Sequence, residues 1–329
     1  MTQRKKDHIE MAIQSRLEAA SNDSRFSYEP FLSAHPTGDN QPFQFLGKSM
    51  LHPIWISSMT GGTARAKTIN ENLARACNEF GLGMGLGSCR LLLDSDEYFD
   101  DFNVRPLMGE APLWANLGIA QIEKLIKNDQ IDKVERMVEK LGADGLIIHV
   151  NPLQEFFQPE GDLIESSPIE IIWNFIERFS LPVVVKEVGQ GFGRESMEAL
   201  LQLPLAGIEF AAFGGTNFAK LELMRAEKQE AEVYQPFSKV GASAENMVQT
   251  FNTLTGHSSI SHIPDIIVSG GIQSFLDGYY LINKIKAPAI YGQASAFLDY
   301  AQEDYYALQK YIQLQVKGLQ LAKAYLKVL

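Results

Sequence analysis

Between Gly145 and Glu155 the chain reads GLIIHVNPLQE, an apolar run of β-forming residues that opens at once into His149, Asn151, Gln154 and Glu155. A buried strand whose carboxyl end gives way to imidazole, amide and carboxylate side chains is where α/β barrels keep their chemistry. Taken alone, the segment reads equally well as a strand capped by His149, an Asn151-Pro152 turn and a solvated Glu155. The balance is tipped by what stands at the ends of the other apolar runs.

Those ends carry small, hydroxyl-bearing or backbone-exposing residues: Ser57-Ser58-Met59-Thr60-Gly61-Gly62, Gly87-Ser88-Cys89-Arg90 and Asn116-Leu117-Gly118. Such residues let a planar ligand lie close to the backbone. Lys186-Glu187 ends another run, and a Lys inside a barrel mouth needs an anionic partner, for which a reduced flavin or a phosphate would serve. The last three runs lead into Phe213-Gly214-Gly215-Thr216, Ser269-Gly270-Gly271-Ile272 and Tyr291-Gly292-Gln293-Ala294-Ser295. Glycines in these positions free backbone N–H groups to hold a phosphate. Two glycine-rich stretches, starting at Gly81 and Gly189, lack the last glycine of a dinucleotide fingerprint. His257 and His262 have no third metal ligand nearby in sequence, and Cys89 has no paired base.

The elements that must position these residues follow from apolar periodicity. Strands are expected over 53–57, 82–86, 113–116, 145–149, 182–187, 207–210, 265–269 and 289–291, and helices over 66–80, 121–127, 129–141, 168–179, 195–203, 244–255 and 275–284. Eight βα steps predict a single α/β domain, a (β/α)8 TIM barrel over 43–329, with a lid-like insertion at 217–243 and one long helix over 302–328. Residues 1–42 form an N-terminal extension: a helical pattern with Ile9, Ala12, Ile13 and Leu17 behind a cationic cluster, then a connecting loop from 21.

With 329 residues, 45% hydrophobic and 21% charged, the chain can bury a large core. Forty acidic against 29 basic residues give a net charge of -11, which argues against nucleic acid or an anionic membrane as partner. No apolar stretch spans a bilayer, and two cysteines without CxxC spacing point to a reducing cytoplasm.

Together, RKKDHI from residue 4, SMTGG, GS-x-R, ANLG, the His149-x-Asn151-x-x-Gln154-Glu155 cluster, KEVG, GGTNFAKLE and SGGIQS resemble the FMN-dependent type 2 isopentenyl diphosphate isomerases over almost the whole chain. The resemblance implies FMN at the barrel mouth, Mg²⁺ beside a diphosphate substrate, NADPH as flavin reductant, and a homo-oligomer, a tetramer or octamer in that family. It assigns Arg4, Lys5, His8, Ser88 and Arg90 to the substrate, Gln154 to the reacting carbons with His149 and Asn151 beside it, and Glu155 to the metal. FMN contacts map to Ser58, Met59, Thr60, Ser88, Asn116, Lys186, Thr216, Gly270, Gly271, Gln273, Gln293, Ala294 and Ser295. Cys89 departs from the family's usual Gln, and Phe237-Ser238-Lys239-Val240-Gly241 replaces its Trp-Gly-x-Pro-Thr segment. Rival readings are an FMN-dependent 2-hydroxy acid oxidoreductase, which needs a His and Arg pair and finds no matching late Arg, and a non-catalytic flavin or phosphate binder.

Overall fold

Eight short parallel strands follow one another around a closed barrel in a computed structural model of the chain, which describes residues 2–38, 41–58, 64–256, 260 and 262–329. In order they are Ile54–Ile56, Gly83–Gly85, Leu113–Gly118, Gly145–His149, Val183–Lys186, Gly207–Glu209, Asp265–Ser269 and Ala289–Gln293. The eighth closes on the first through the pair Tyr291 and Ile54. Each predicted strand is present. Their apolar runs lack alternation because both faces are covered: Val183–Lys186 is buried along its whole length.

Helices surround the barrel where the 3.6-residue period placed them. Ile131–Leu141 turns Ile131, Val134, Met137, Val138 and Leu141 inward and stops at Gly142, whose φ of 59° supplies the left-handed cap. Inside the barrel a second core gathers Trp55, Trp114, Ile147, Val184, Ile267 and Ile290. Phe45 and Met50 complete it from a hairpin, Phe43–Phe45 against Lys48–Met50, that sequence patterning did not single out. Its two-residue turn, Leu46-Gly47, has positive φ at both positions, as a type I′ turn requires. The Leu46 N–H donates to Asp265 Oδ2 at 2.6 Å, at the amino end of the seventh strand. The hairpin therefore plugs the amino end of the barrel and leaves the carboxyl end for a ligand.

Three expectations are corrected. The loop from 21 to 42 contains a strand, Phe26–Tyr28, paired antiparallel with Leu326–Val328. The long helix expected over 302–328 is present as Tyr305–Tyr325, and only its last residues, Leu326–Val328, form that strand instead. Pairing across some three hundred residues, with Phe26 packed on Tyr279 and Tyr280 at 6.2 and 6.0 Å, overrides local helical preference. Third, the amino-terminal helix Thr2–Met11 ends before its expected apolar stripe does, and Ile9 and Leu17 remain 79% and 87% exposed. Among the described residues no helix is long and apolar enough to cross a membrane.

Candidate active site

At the end of the fourth barrel strand, His149 is half-buried and its Nδ1 lies 2.9 Å from Asn116 Oδ1. The Asn116 amide is oriented by its Nδ2, which donates to Leu86 O at 3.0 Å. A carbonyl oxygen only accepts, so Nδ1 of His149 carries the proton and Nε2 is left bare. Burial, helped by the positive charges of Lys186 and Arg90, pushes the His149 pKa down to about 3, which keeps the ring neutral.

Asn151 precedes the helix Pro152–Phe157, whose Pro at the first position fixes the entry. Its Nδ2 donates to both Gln154 Oε1 and Glu155 Oε1 at 3.0 Å, so one buried amide holds the two side chains together. The other Glu155 oxygen accepts from Asp162 N at 2.8 Å. Gln154 Nε2 donates in turn to Glu222 Oε1 at 3.3 Å, and Glu222 is held by Arg225, which also reaches Glu160. Sequence reasoning missed Glu222, although it closes the GGTNFAKLE motif.

Glu222 arrives on Phe218–Arg225, the first of two helices in the 217–243 segment; the second is Lys228–Tyr234. They dock on the helix Pro152–Phe157 through a small core of Leu153, Phe157, Ala219, Leu223 and Tyr234. Phe157 stacks on Tyr234 at 5.3 Å and meets Phe237 at 6.0 Å. Gln190 Nε2 donates to the carbonyls of Phe237 and Val240, tying down the altered segment.

Across the mouth, a cavity of about 100 Å³ is lined by eight of the expected flavin residues: Ser58, Lys186, Thr216, Gly270, Gly271, Gln293, Ala294 and Ser295. Gly270 and Gly271 have φ of 87° and 73°, and a Cβ on Gly270 would collide with the Ala212 backbone. Lys186 is buried, and its ammonium donates to the Glu187 carbonyl at 2.9 Å. No carboxylate forms an ion pair with it among the described residues. Burial pushes its pKa down, opposed by Glu209 and Glu187. Glu209 is a second group that sequence reading missed; its signal was a lone carboxylate ending an apolar strand, in register with Lys186.

Other expected residues lie elsewhere. Ser88 and Arg90 are exposed and do not line this cavity, and Gln273 is exposed with its N–H bonded to Asp277. Arg4, Lys5 and His8 are exposed on Thr2–Met11 and line neither mouth cavity. Met59, Thr60 and His257 lie outside the described residues, and His262 is exposed. Cys89 is buried, with its thiol pushed up to about 12, which leaves it unreactive. Among the described residues no cluster of three or more His, Cys, Asp or Glu could hold a metal ion. A larger cavity of about 530 Å³ lies between Pro168–Ile176 and Arg194–Leu200, and its inner end touches Asn151, Gln154 and Lys186.

No family model matches the chain. It is 34% identical over 324 residues to the isopentenyl-diphosphate delta-isomerase of Rickettsia africae (strain ESF-5), covering 97% of this chain and 92% of that protein. The proteins of the same name from Rickettsia felis and Rickettsia akari are 33% and 32% identical, each over 97% of this chain and 91% of their own length. Among solved structures, a mandelate oxidase variant carrying an FMN adduct superposes with a TM-score of 0.59 at 16% identity, over 92% of this chain and 88% of that one. A flavocytochrome b2 variant with sulfite bound gives 0.62 at 15%, over 97% and 82%. At these identities the structural likeness is one of fold.

Proposed function

The chain belongs to the isopentenyl-diphosphate delta-isomerase family, and from that premise we propose that it interconverts isopentenyl and dimethylallyl diphosphates by proton transfer with reduced FMN and Mg²⁺. The carrying observation is that Lys186, a buried cation, lines both the glycine-rich cavity and the larger one in which Asn151 and Gln154 stand, with Asn151 clamping Gln154 to Glu155.

The residues fit a flavin. Lys186 is a buried cation whose hydrogen bond is to a carbonyl, Ser58 Oγ and Gln293 Oε1 are buried without partners among the described residues, and Gly270 and Gly271 leave a cradle that side chains would fill. When bound and reduced, the flavin supplies an electron-rich, proton-exchanging surface that an alkene lacking a good base needs. Everything else falls to the chain. Gln154, held on one side by Asn151 and on the other by Glu222, presents its amide in one orientation to the reacting carbons. His149, neutral with Nε2 free, offers an acceptor without adding positive charge beside a developing cation. Lys186 offsets negative charge on the ring. Glu155 suits Mg²⁺ as a single carboxylate, with the substrate's diphosphate and water supplying the remaining oxygens. Arg4, Lys5 and His8 would reach the diphosphate only when the amino-terminal segment folds toward the mouth, and NADPH serves to reduce the flavin without being consumed in turnover.

The test is anaerobic incubation of dithionite-reduced protein with FMN, Mg²⁺ and isopentenyl diphosphate in deuterated water, followed by NMR. Deuterium should enter the product methyl group over many turnovers per flavin, with no reductant consumed, and Gln154→Ala should slow it. Oxidation of a 2-hydroxy acid by the oxidised protein, without isomerisation, would favour the oxidoreductase reading instead.

A further inference from the structure

Glu209 is fully buried at the end of the sixth barrel strand and lines the same mouth cavity as Lys186, which stands level with it on the fifth. Its Oε1 accepts from Ser57 Oγ at 2.5 Å and Ser269 Oγ at 3.0 Å, while its Oε2 has no partner among the described residues. Among the described residues, Lys186 is the one charged group facing it. The first and seventh strands present the hydroxyls of Ser57 and Ser269, the eighth presents Gln293, and Asp265 lies at the opposite end of the seventh. Nothing in the isomerisation as described above uses this carboxyl.

We propose that Glu209 is a positioning residue that takes up the proton balancing negative charge arriving in the mouth, so that reduction of a bound flavin protonates this carboxyl. The inference rests on the flavin reading given above. With Lys186 positive and Glu209 negative, the buried site is neutral before reduction. Two electrons and one proton added to the ring leave it with one net negative charge. An uncompensated charge in a buried site is strongly unfavourable. A second proton drawn from solvent onto Oε2 restores neutrality, with Lys186 now facing the ring alone. Geometry favours this destination, because Oε1 is already held by two donors whereas Oε2 is open. Burial raises the pKa of Glu209 against the pull of Lys186, Ser57 and Ser269, which eases the uptake.

The reduction potential of the FMN-loaded protein, measured against pH, reads the proton count. Two protons per two electrons give a fall of about 59 mV per pH unit, and one proton gives about 30 mV. Wild type should show the steeper slope while its reduced flavin keeps the absorption spectrum of the anionic ring, and Glu209→Gln should show the shallower. Reduced-minus-oxidised infrared spectra add an independent readout. Wild type should gain a carboxylic-acid C=O band that moves in Glu209→Asp and vanishes in Glu209→Gln. A shallow slope or a missing band in wild type overturns the inference even if the Gln variant fails to fold, as does a steep slope retained in that variant. Failure of the wild-type protein to bind FMN would instead bring down the cofactor reading, and this inference with it.

Discussion

His149 shows how much one residue's surroundings decide. In water its imidazole would be partly charged near neutrality, but here it stays neutral down to a pKa of about 3. The unfolded chain therefore binds more protons at this site between its ordinary value and that one. Stability contributed by neutral His149 is fully present above the ordinary pKa and is lost as pH falls through this window, with a limiting slope of about 1.4 kcal/mol per pH unit. In denaturant titrations at a series of pH values, His149→Gln should flatten that slope. An unchanged acid profile would mean that His149 is solvated as freely in the folded protein as in the unfolded chain. Glu155 behaves differently: both of its oxygens are engaged, by Asn151 and by the Asp162 N–H, and a metal must share or displace those bonds.

At the scale of elements, the helices at 218–234 pack against Pro152–Phe157 around a small core separate from that of the barrel. Phe157, 2% exposed and stacked on Tyr234, joins these helices to the one carrying Gln154 and Glu155. Phe157→Ala should loosen the docking and with it the bond between Gln154 and Glu222, raising KM roughly ten-fold, equivalent to about 1.4 kcal/mol. FMN affinity should fall much less than substrate affinity, because the glycine loops of the mouth lie on other strands and these helices line the cavity only through Phe218, among the described residues. Faster proteolysis within 218–240 is the accompanying sign, and loss of FMN as large as the change in KM would show that the flavin site depends on this docking.

For the molecule as a whole, segments near the two ends of the chain are tied together outside the barrel. Phe26–Tyr28 pairs with Leu326–Val328, and the Glu29 and Leu329 N–H groups donate to the carbonyls of Tyr325 and Arg25. Truncation after Tyr325 removes the strand pairing and the Leu329 bond, and leaves only the Tyr325 carbonyl for Glu29. At about 0.5–1.5 kcal/mol each, several lost bonds predict a stability loss of roughly 1–3 kcal/mol, read from the denaturation midpoint. Turnover at saturating substrate should persist, because no residue of that pairing lines the mouth. A truncated protein as stable as the full chain would make the pairing energetically idle.

Local pattern sufficed for the barrel because each strand and helix of a (β/α)8 fold is fixed by contacts with its neighbours in sequence. The runs at 145–149, 183–186 and 265–269 and the stripe from Ile131 to Leu141 carry that information within themselves. The same holds for Ser58, Lys186, Gly270, Gly271 and Gln293, which sit at strand ends and so had to meet at one rim. What the sequence left open depends on partners distant along the chain. Phe26–Tyr28 is a strand only because Leu326–Val328 lies beside it, and the Phe43–Met50 hairpin matters only because a barrel end needs filling. Glu222 meets Gln154, and Glu209 faces Lys186, only after two separate βα units close side by side. Residue type and spacing can mark such groups, but burial and the direction of a side chain give them their charge, and both are properties of the closed barrel.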